Sequence, residues 1–275
     1  MYKRQPPYRT TDLRELYDLL LQQAVPVPGP DVDRLREAAR DAGTAVVIGV
    51  NERNDAGTGT TIYNSLLFIG PDGRLLGRHR KLVPTVAERM VHGRGDGASL
   101  TAYDLDIGRL GGLICWENYM PLARYALYAR GVQLYAAPTW DRGEPWTSTL
   151  RHIAKEGRTF VIGCCSPVRR DDVPDTFGFK AAHLPEMDWI NPGGSCILDP
   201  DGRFLAGPVT EREEILYADL DMGALRGSRF QLDVAGHYAR PDLFDLTLRT
   251  GADGALEGAP AMVDGRAEPP ERSAP

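Results

Sequence analysis

The stretch LGGLICWENYMPLARYALYARGVQLYAAPTWD, residues 110–141, decides how the chain is interpreted. An apolar run typical of a buried strand stops at Cys115, and an acid follows two residues later at Glu117. A helix pattern then begins with Pro121 in its first turn and ends at Gly131. The apolar run VQLYAAP comes next and predicts another strand. The order strand, cysteine, helix, strand predicts a cysteine placed where a sheet ends.

Cys115 is therefore the first candidate for chemistry. Sites in α/β sheets form where strands end, and a nearby helix N-terminus favours the thiolate form of cysteine. The competing interpretation is a small buried hydrophobic residue, which is the usual state of a single core cysteine. Glu117 would share the face of Cys115 if the strand continued, and this favours a functional role.

A second candidate lies in RHRKLVPTVAERM, residues 78–90, where a strand pattern leads into basic residues. A lysine after a hairpin strand is normally a solvated surface charge. A lysine that works in a site needs an acidic partner to hold its ammonium group, and Glu88 is available to pair with Lys81.

The rest of the chain alternates helix patterns with strands and hairpins, which predicts a layered α/β or α+β fold with a mixed sheet. Strands are predicted in TAVVIGV (44–50), TFVIGCC (159–165) and EILYADLDM (214–222), and hairpins around the turns PDG and DPDG. We expect one domain over residues 1–250 and a disordered tail over 251–275, which is rich in Gly, Ala and Pro.

Composition excludes several classes of protein. The net charge of −6 and the absence of a Lys/Arg block argue against nucleic-acid binding. No apolar run reaches the roughly 20 residues that a membrane span needs, and the N-terminus lacks a signal-peptide pattern.

The four cysteines form neither a disulfide framework nor a zinc pattern, so we expect a cytoplasmic protein with Cys164, Cys165 and Cys196 in the core. His152 could pair with Cys115 as a thiol-protease base, but no orienting Asn or Asp has a place beside it.

Taken together, the motifs resemble the nitrilase branch of the carbon–nitrogen hydrolase superfamily. The resemblance rests on GRHRKLVPTVAER, the stretch at 110–141, RHIAKEGRTFVIGCC, NPGGSCILDPDGRFLAGP and GHYARPDLF, and it covers roughly residues 25 to 248. The CWEN form of the cysteine motif is similar to true nitrilases. The resemblance implies an α-β-β-α sandwich, a Glu-Lys-Cys catalytic centre, no metal and no organic cofactor. It also implies homo-oligomers, either dimers or larger spirals.

The resemblance implies a role for each residue that matches. Cys115 would attack the carbon of a small organic nitrile and form a covalent thioimidate, while Lys81 and the backbone N–H of Trp116 would stabilise the anionic nitrogen. Glu88 would position the lysine and the substrate. Water would then release ammonia and leave a thioester, and a second water would release the acid. Of the residues near the cysteine, we expect four to bind the substrate: Trp116, Glu117, Thr139 and Trp140.

The sequence departs from the family at its N-terminus. The family's general base is a glutamate in a Phe-Pro-Glu-Ala-like segment, and none occurs here; Glu15 lies in a helix pattern that does not match. The resemblance thus implies that the first strand, helix and base-bearing strand are missing. Loss of a base commonly costs about 100- to 10,000-fold in rate, and missing strands would expose sheet edges. One alternative is an enzyme that forms or hydrolyses an amide with the same cysteine. The other is an inactive family member that serves as a subunit or binding protein; the missing glutamate favours it, and the presence of Lys81, Glu88 and Cys115 together argues against it.

Overall fold

The computed structural model describes residues 10–177, 180, 184 and 186–249. The first of its two main sheets has four strands in the order β1-β2-β3-β4, where β1 is parallel to β2 and the other pairs are antiparallel. Its strands are β1 (Val25–Pro26), β2 (Val46–Asn54), β3 (Thr61–Ile69) and β4 (Leu75–Arg80). The predicted hairpin around Pro71-Asp72-Gly73 is confirmed as β3 and β4.

The second main sheet has six strands in the order β12-β11-β8-β7-β6-β5. Its members are β5 (Tyr103–Leu105), β6 (Gly108–Gly112), β7 (Leu134–Pro138), β8 (Phe160–Cys164), β11 (Gly193–Leu198) and β12 (Phe204–Thr210). The central strands β6, β7 and β8 are parallel, and antiparallel hairpins flank them. A separate pair consists of β9 (Val168–Arg169) and β10 (Trp189–Asn191).

Helices connect and cover these sheets. They are α1 (Thr10–Gln23), α2 (Pro30–Ala42), α3 (Pro121–Tyr128), α4 (Glu144–Gly157) and α5 (Ala224–Gln231). The ends of two helices follow from the sequence. Gly43 has φ +59° and takes the left-handed conformation that closes α2, as glycine readily does. Pro121 opens α3, where its missing N–H costs nothing.

Two hydrophobic cores fill the spaces between the layers. One core lies between the sheets, where Leu66 and Phe68 of β3 meet Leu110, Leu134 and Phe160 of the second sheet. The other lies between the opposite face of the second sheet and the helices α3 and α4. Helix α2 packs beside the first sheet and its Arg36 Nε donates a hydrogen bond to the carbonyl of Gly73. The layered α/β prediction is confirmed.

The parallel strands β6, β7 and β8 all end at the same edge of the second sheet. Cys115 follows β6 by three residues, Thr139 directly follows β7, and Cys164 is the last residue of β8. This edge is where side chains from neighbouring strand ends converge, as is typical of α/β sites.

Two predictions from the sequence are wrong. Residues 214–222 alternate between exposed and half-buried positions, with Leu220 and Met222 against the inter-sheet core, but they form no strand with any described residue. The period-2 pattern thus reflects burial on one side of an extended segment without ladder hydrogen bonds. Cys164 is exposed and not part of the core, because it is the terminal residue of its strand.

Several other expectations concern edges and termini. Strand β1 pairs only with residues 52 and 53, so within the described chain no strand pairs with residues 46–51 of β2 on that side. The predicted tail, 251–275, and the boundary at 250 lie outside the described residues. None of the helices in the described part is long and apolar enough to cross a membrane.

The core between α4 and the second sheet yields a prediction for a matched pair of leucines. Leu150 is fully buried, and Leu122 on α3 is 68% exposed. We expect Leu150→Ala to lower the free energy of unfolding by about 2–5 kcal/mol, because it leaves a cavity in the core. Leu122→Ala should change it by less than about 0.5 kcal/mol. Urea unfolding measures both, and equal effects would contradict the assigned core.

Candidate active site

The backbone places Cys115 at a sharp turn. Strand β6 ends at Gly112, and a 3₁₀ helix (Cys115–Tyr119) begins at the cysteine itself. Cys115 has φ +53°, in the left-handed region that residues other than glycine seldom adopt. Such a conformation persists only where the surroundings impose it, and it clusters at functional sites. The thiol is partly buried, so it is held by the fold and still accessible.

Asn118 holds the turn from its C-terminal side. Its fully buried side chain donates from Nδ2 to the carbonyls of Leu113, at 3.0 Å, and Cys115, at 2.9 Å. The hydroxyl of Tyr135 on β7 donates to Asn118 Oδ1 at 2.8 Å, and Arg124 on α3 donates to the Asn118 carbonyl at 2.7 Å. These bonds explain how a non-glycine residue keeps its unusual φ. Sequence analysis missed Asn118, although it stands in the CWEN motif.

Glu117 holds the same turn from the opposite side. Its side chain is fully buried, and its Oε2 accepts the backbone N–H of Ile114 at 2.7 Å. Its Oε1 accepts the backbone N–H of Leu82 at 2.6 Å, and His79 Nε2 lies 3.0–3.1 Å from the two oxygens. The structure thus places Glu117 behind the turn, contrary to its predicted place among the residues that a substrate reaches. The strand does not continue to residue 117, so the face-sharing argument does not apply.

Lys81 and Glu88 form the predicted pair. Lys81 follows β4 directly, its backbone N–H donates to Asn64, and its side chain is fully buried. Its Nζ lies 2.5 Å from Glu88 Oε2, which also accepts the backbone N–H of Thr85 at 2.6 Å. Asn64 Nδ2 donates to the other Glu88 oxygen at 3.2 Å. The contact between the two side chains is confirmed, and their catalytic roles stay predictions.

The charge of Glu88 is fixed by these partners. Burial raises the pKa of Glu88, but the hydrogen bonds from Lys81 and from the Thr85 N–H, with the positive charge of Lys81, outweigh it and hold the pKa below its usual value. The carboxylate therefore stays ionised at neutral pH and neutralises a buried ammonium group. An unpaired buried lysine would be strongly destabilising.

A buried glutamate on β2, with β3 between it and β4, supports the segment that precedes Lys81. Glu52 on β2 accepts hydrogen bonds from Ser65 Oγ at 2.6 Å and from Arg80 Nη2 at 2.6 Å, and Arg78 Nη1 lies 2.8 Å away. Charge-assisted bonds of this kind fix the end of β4 from which Lys81 departs. No local pattern identifies Glu52, because its partners lie on other strands.

The remaining predicted residues belong to the cysteine turn and to the loop that follows β7. Trp116 Nε1 donates to Asp141 Oδ2 at 2.8 Å, and the backbone N–H of Asp141 donates to Thr139 Oγ1 at 2.8 Å. The two tryptophans are about half exposed, Trp116 at 47% and Trp140 at 54%. Asp141, which sequence analysis missed, thus joins the cysteine turn to the loop after β7. The substrate-binding roles of Trp116, Thr139 and Trp140 stay predictions.

Other titratable residues are placed away from these roles. His152 lies on the exposed side of α4 with Glu156 Oε1 at 3.5 Å, and Glu15 is exposed on α1. Burial raises the pKa of the Cys165 thiol to about 11 and that of Cys196 to about 12. Both stay protonated at neutral pH, so neither offers a thiolate.

Comparisons with known proteins show the family to which the chain belongs. Residues 6–230 match the family described as carbon-nitrogen hydrolase. The chain is 45% identical over 240 residues to an aliphatic nitrilase of Sinorhizobium fredii (strain HH103), covering 87% of this chain and 76% of that protein. It is 42% identical to the bifunctional nitrilase/nitrile hydratase NIT4A of Lupinus angustifolius, covering 88% and 69%. Nitrilase 2 of Arabidopsis thaliana is 43% identical, with 82% and 66% covered.

Solved structures support the fold alone. A carbon-nitrogen hydrolase from Helicobacter pylori G27 superposes with a TM-score of 0.64 at 19% identity, covering 78% of this chain and 74% of that one. Nit3 of Saccharomyces cerevisiae, a member of branch 10 of the nitrilase superfamily, gives 0.63 at 22% identity, covering 81% and 78%.

The environments of the four cysteines predict an alkylation pattern. We expect iodoacetamide at about pH 8 to modify Cys115 and Cys164, because both are accessible, and to spare Cys165 and Cys196, whose pKa burial raises. Peptide mapping by mass spectrometry after timed quenching measures each site. Modification of Cys196 as fast as Cys164 in folded protein would contradict the described burial.

The lowered pKa of Glu88 predicts a pH-dependent stability. A carboxyl whose pKa is lower in the folded state stabilises the fold above its unfolded pKa of about 4.3, and this stabilisation is lost as pH falls through the folded pKa. We expect Glu88→Gln to be less stable than wild type at neutral pH, with a gap that shrinks under acid. Urea unfolding between neutral and acid pH tests this. An exposed control, Glu37→Gln, should show no such trend, and a constant gap for Glu88→Gln would contradict the account.

Proposed function

The chain belongs to the carbon–nitrogen hydrolase family, and we propose that it hydrolyses a small organic nitrile to the carboxylic acid and ammonia, with Cys115 as nucleophile. The observation that carries the proposal is the constrained turn of Cys115, which shares one buried carboxylate with the segment of Lys81. Identities of 42–45% to curated nitrilases from a bacterium and two plants support it.

The reaction proceeds in three balanced steps. The sulfur of Cys115 forms a bond to the nitrile carbon, and the nitrogen takes up the electron pair and a proton to give a thioimidate. Water adds to this carbon, the carbon–nitrogen bond breaks, and ammonia leaves a thioester. A second water displaces the thiol and releases the acid. Overall, one nitrile and two waters give one acid and one ammonia.

Lys81 supplies the positive charge that the first step needs. A nitrile is a weak electrophile, and its nitrogen becomes negative as sulfur attacks. The buried ammonium of Lys81, held by Glu88 Oε2 at 2.5 Å, is oriented before the substrate binds. The backbone N–H of Trp116 is the second donor in this proposal. Removing one such donor typically costs about 100- to 1000-fold in rate.

The proposal assigns the general base to none of the described carboxylates near the turn. Glu88 is bonded to Lys81, and Glu117 is bonded to two backbone N–H groups and His79. Glu15 is exposed on α1 and belongs to no cluster with Cys115.

Two half-exposed tryptophans favour a substrate with an apolar substituent. Trp116 lies in the cysteine turn and Trp140 in the loop after β7; both side chains are about half exposed, and Asp141 fixes the Trp116 ring through Nε1. Contact between aromatic faces of this size and an apolar group lowers the free energy of the complex. The proposed substrate-binding residues are therefore Trp116, Trp140 and Thr139.

We further propose that the chain works as a homo-oligomer in the cytoplasm. Large apolar side chains lie exposed in its C-terminal part, among them Ile215, Tyr217, Phe230, Tyr238 and Phe244. Soluble monomers rarely leave many such groups in water, and a second copy would cover them. All four cysteines are free, which supports a reducing compartment.

A second product is the amide. If the carbon–sulfur bond of the hydrated intermediate breaks before the carbon–nitrogen bond, the thiol leaves and the amide is released. The relative from Lupinus angustifolius is described as a bifunctional nitrilase/nitrile hydratase, which favours testing for this outcome.

The experiment incubates the purified protein with aliphatic and aromatic nitriles and quantifies ammonia, acid and amide. Cys115→Ala is the test variant, and Cys164→Ala is the matched control because Cys164 is also accessible. We expect ammonia and acid from wild type and from Cys164→Ala, and none from Cys115→Ala, because only Cys115 forms the covalent intermediate.

Two outcomes would contradict the proposal. Ammonia released equally by Cys115→Ala would exclude the thiol mechanism. A folded wild-type protein that consumes none of the nitriles would favour an inactive family member that serves as a subunit or binding protein.

A further inference from the structure

We propose that Glu117 and His79 form a buried positioning pair that fixes the turn of Cys115 against the segment of Lys81. This inference rests on the proposed function, because it assumes that Cys115 and Lys81 act together. Neither positioning residue touches the reacting atoms in this account. Their effect on rate comes from the geometry that they impose on the two catalytic residues.

The carboxylate of Glu117 bridges two separate segments of the chain. Its Oε2 accepts the N–H of Ile114, the residue before Cys115, and its Oε1 accepts the N–H of Leu82, the residue after Lys81. Both distances, 2.7 and 2.6 Å, are short for N–H···O bonds and fit a charged acceptor. One side chain therefore sets the separation between the two backbone segments that carry the catalytic groups.

His79, on β4, contacts the carboxylate of Glu117. Its ring is 1% exposed, and Nε2 lies 3.0 and 3.1 Å from the two Glu117 oxygens. Its Nδ1 lies 2.9 Å from Ser99 Oγ, and Ser99 Oγ donates to the carbonyl of Asp96 at 3.2 Å. His79 precedes Lys81 by two residues, so the partner of the carboxylate stands on the strand that delivers the lysine.

Burial makes this arrangement specific. A carboxylate that is withdrawn from water is costly unless its oxygens are hydrogen bonded, and the two N–H groups lose their acceptor if it is removed. The N–H groups of Ile114 and Leu82 and the Nε2 of His79 approach the carboxylate from the two segments. Any change in the length or charge of residue 117 must therefore shift one segment relative to the other.

Two substitutions at Glu117 separate positioning from charge. Glu117→Gln keeps the length, but its amide nitrogen faces one of the two N–H donors, so one bond is lost. Glu117→Asp keeps the charge, but it is one methylene too short to reach both donors. A positioning role predicts that both variants are impaired. A purely electrostatic role predicts that Glu117→Asp retains the wild-type rate.

The experiment measures kcat and KM for a nitrile that wild type hydrolyses, with circular dichroism to confirm folding. We expect kcat to fall about 100-fold in both Glu117 variants, because small misplacements of catalytic groups cost this much. KM should stay within about threefold, since substrate contacts lie elsewhere. The matched control is Glu37→Gln, on the exposed face of α2, which should match wild type. A folded Glu117→Asp or Glu117→Gln with unchanged kcat would overturn the proposal.

If the Glu117 variants do not fold, His79→Gln tests the proposed positioning pair. The carboxylate and its two backbone bonds remain in this variant, and only the imidazole partner is lost. We expect kcat to fall about 10-fold at unchanged KM. An unchanged kcat in folded His79→Gln would overturn the pairing.

A second readout keeps this test separate from the proposed function. The rate at which iodoacetamide modifies Cys115, assigned by peptide mapping, needs no nitrile turnover. We expect both Glu117 variants to react more slowly at Cys115, because the thiolate loses its placement near Lys81, while Cys164 reacts as before. Slowed alkylation without any ammonia from wild type would retain the positioning pair and reject the nitrilase proposal. If Cys115 were alkylated faster in Glu117→Gln alone, the negative charge of Glu117 would be what affects the thiol, and the positioning role would be overturned.

Discussion

The site depends on one buried carboxylate that two separate parts of the chain share. Glu117 accepts the backbone N–H before Cys115 and the backbone N–H after Lys81, so a single rigid group connects the nucleophile to the cation. Side chains on flexible loops could meet the same partners but would not keep a fixed separation. Catalysis by preorganised charge requires that the cation is in place before negative charge develops. A bridge made of backbone bonds provides this without using the reacting atoms.

The turn of Cys115 is held from both ends by different kinds of group. Asn118, a neutral amide, binds the carbonyls of residues 113 and 115, while Glu117, an anion, binds the N–H of residue 114. Together they satisfy the polar backbone groups that a sharp turn leaves unpaired, and they stabilise a φ of +53° that a cysteine would otherwise avoid. Glu88 in turn pairs with the buried ammonium group of Lys81. The buried charges at this edge of the sheets are thus arranged as hydrogen-bonded partners, as burial demands.

Much of this architecture follows from local sequence patterns. The hairpin turns, the glycine after α2, the proline at the start of α3 and the strand before Cys115 all predict their elements correctly. The expectations that fail depend on where a strand ends or on partners from other parts of the chain. The argument that Glu117 shares the face of Cys115 requires the strand to continue, whereas a 3₁₀ helix starts at Cys115. Asp141 and Glu52 carry no recognisable signal, since their partners lie on other elements: Trp116 in the 3₁₀ helix and Ser65 on β3. Residues 214–222 have a strand pattern, but a strand also needs a hydrogen-bonding neighbour.

The most direct test of the bridge is a double-mutant cycle between Glu117 and Lys81. The rate of Cys115 alkylation would be compared in wild type, Lys81→Met, Glu117→Gln and the double variant, with folding confirmed for each. If Glu117 acts by holding Cys115 against the Lys81 segment, its substitution should slow alkylation strongly in wild type and hardly at all once the ammonium is absent. Independent effects that multiply in the double variant would contradict the account, because the two residues would then act on the thiol separately.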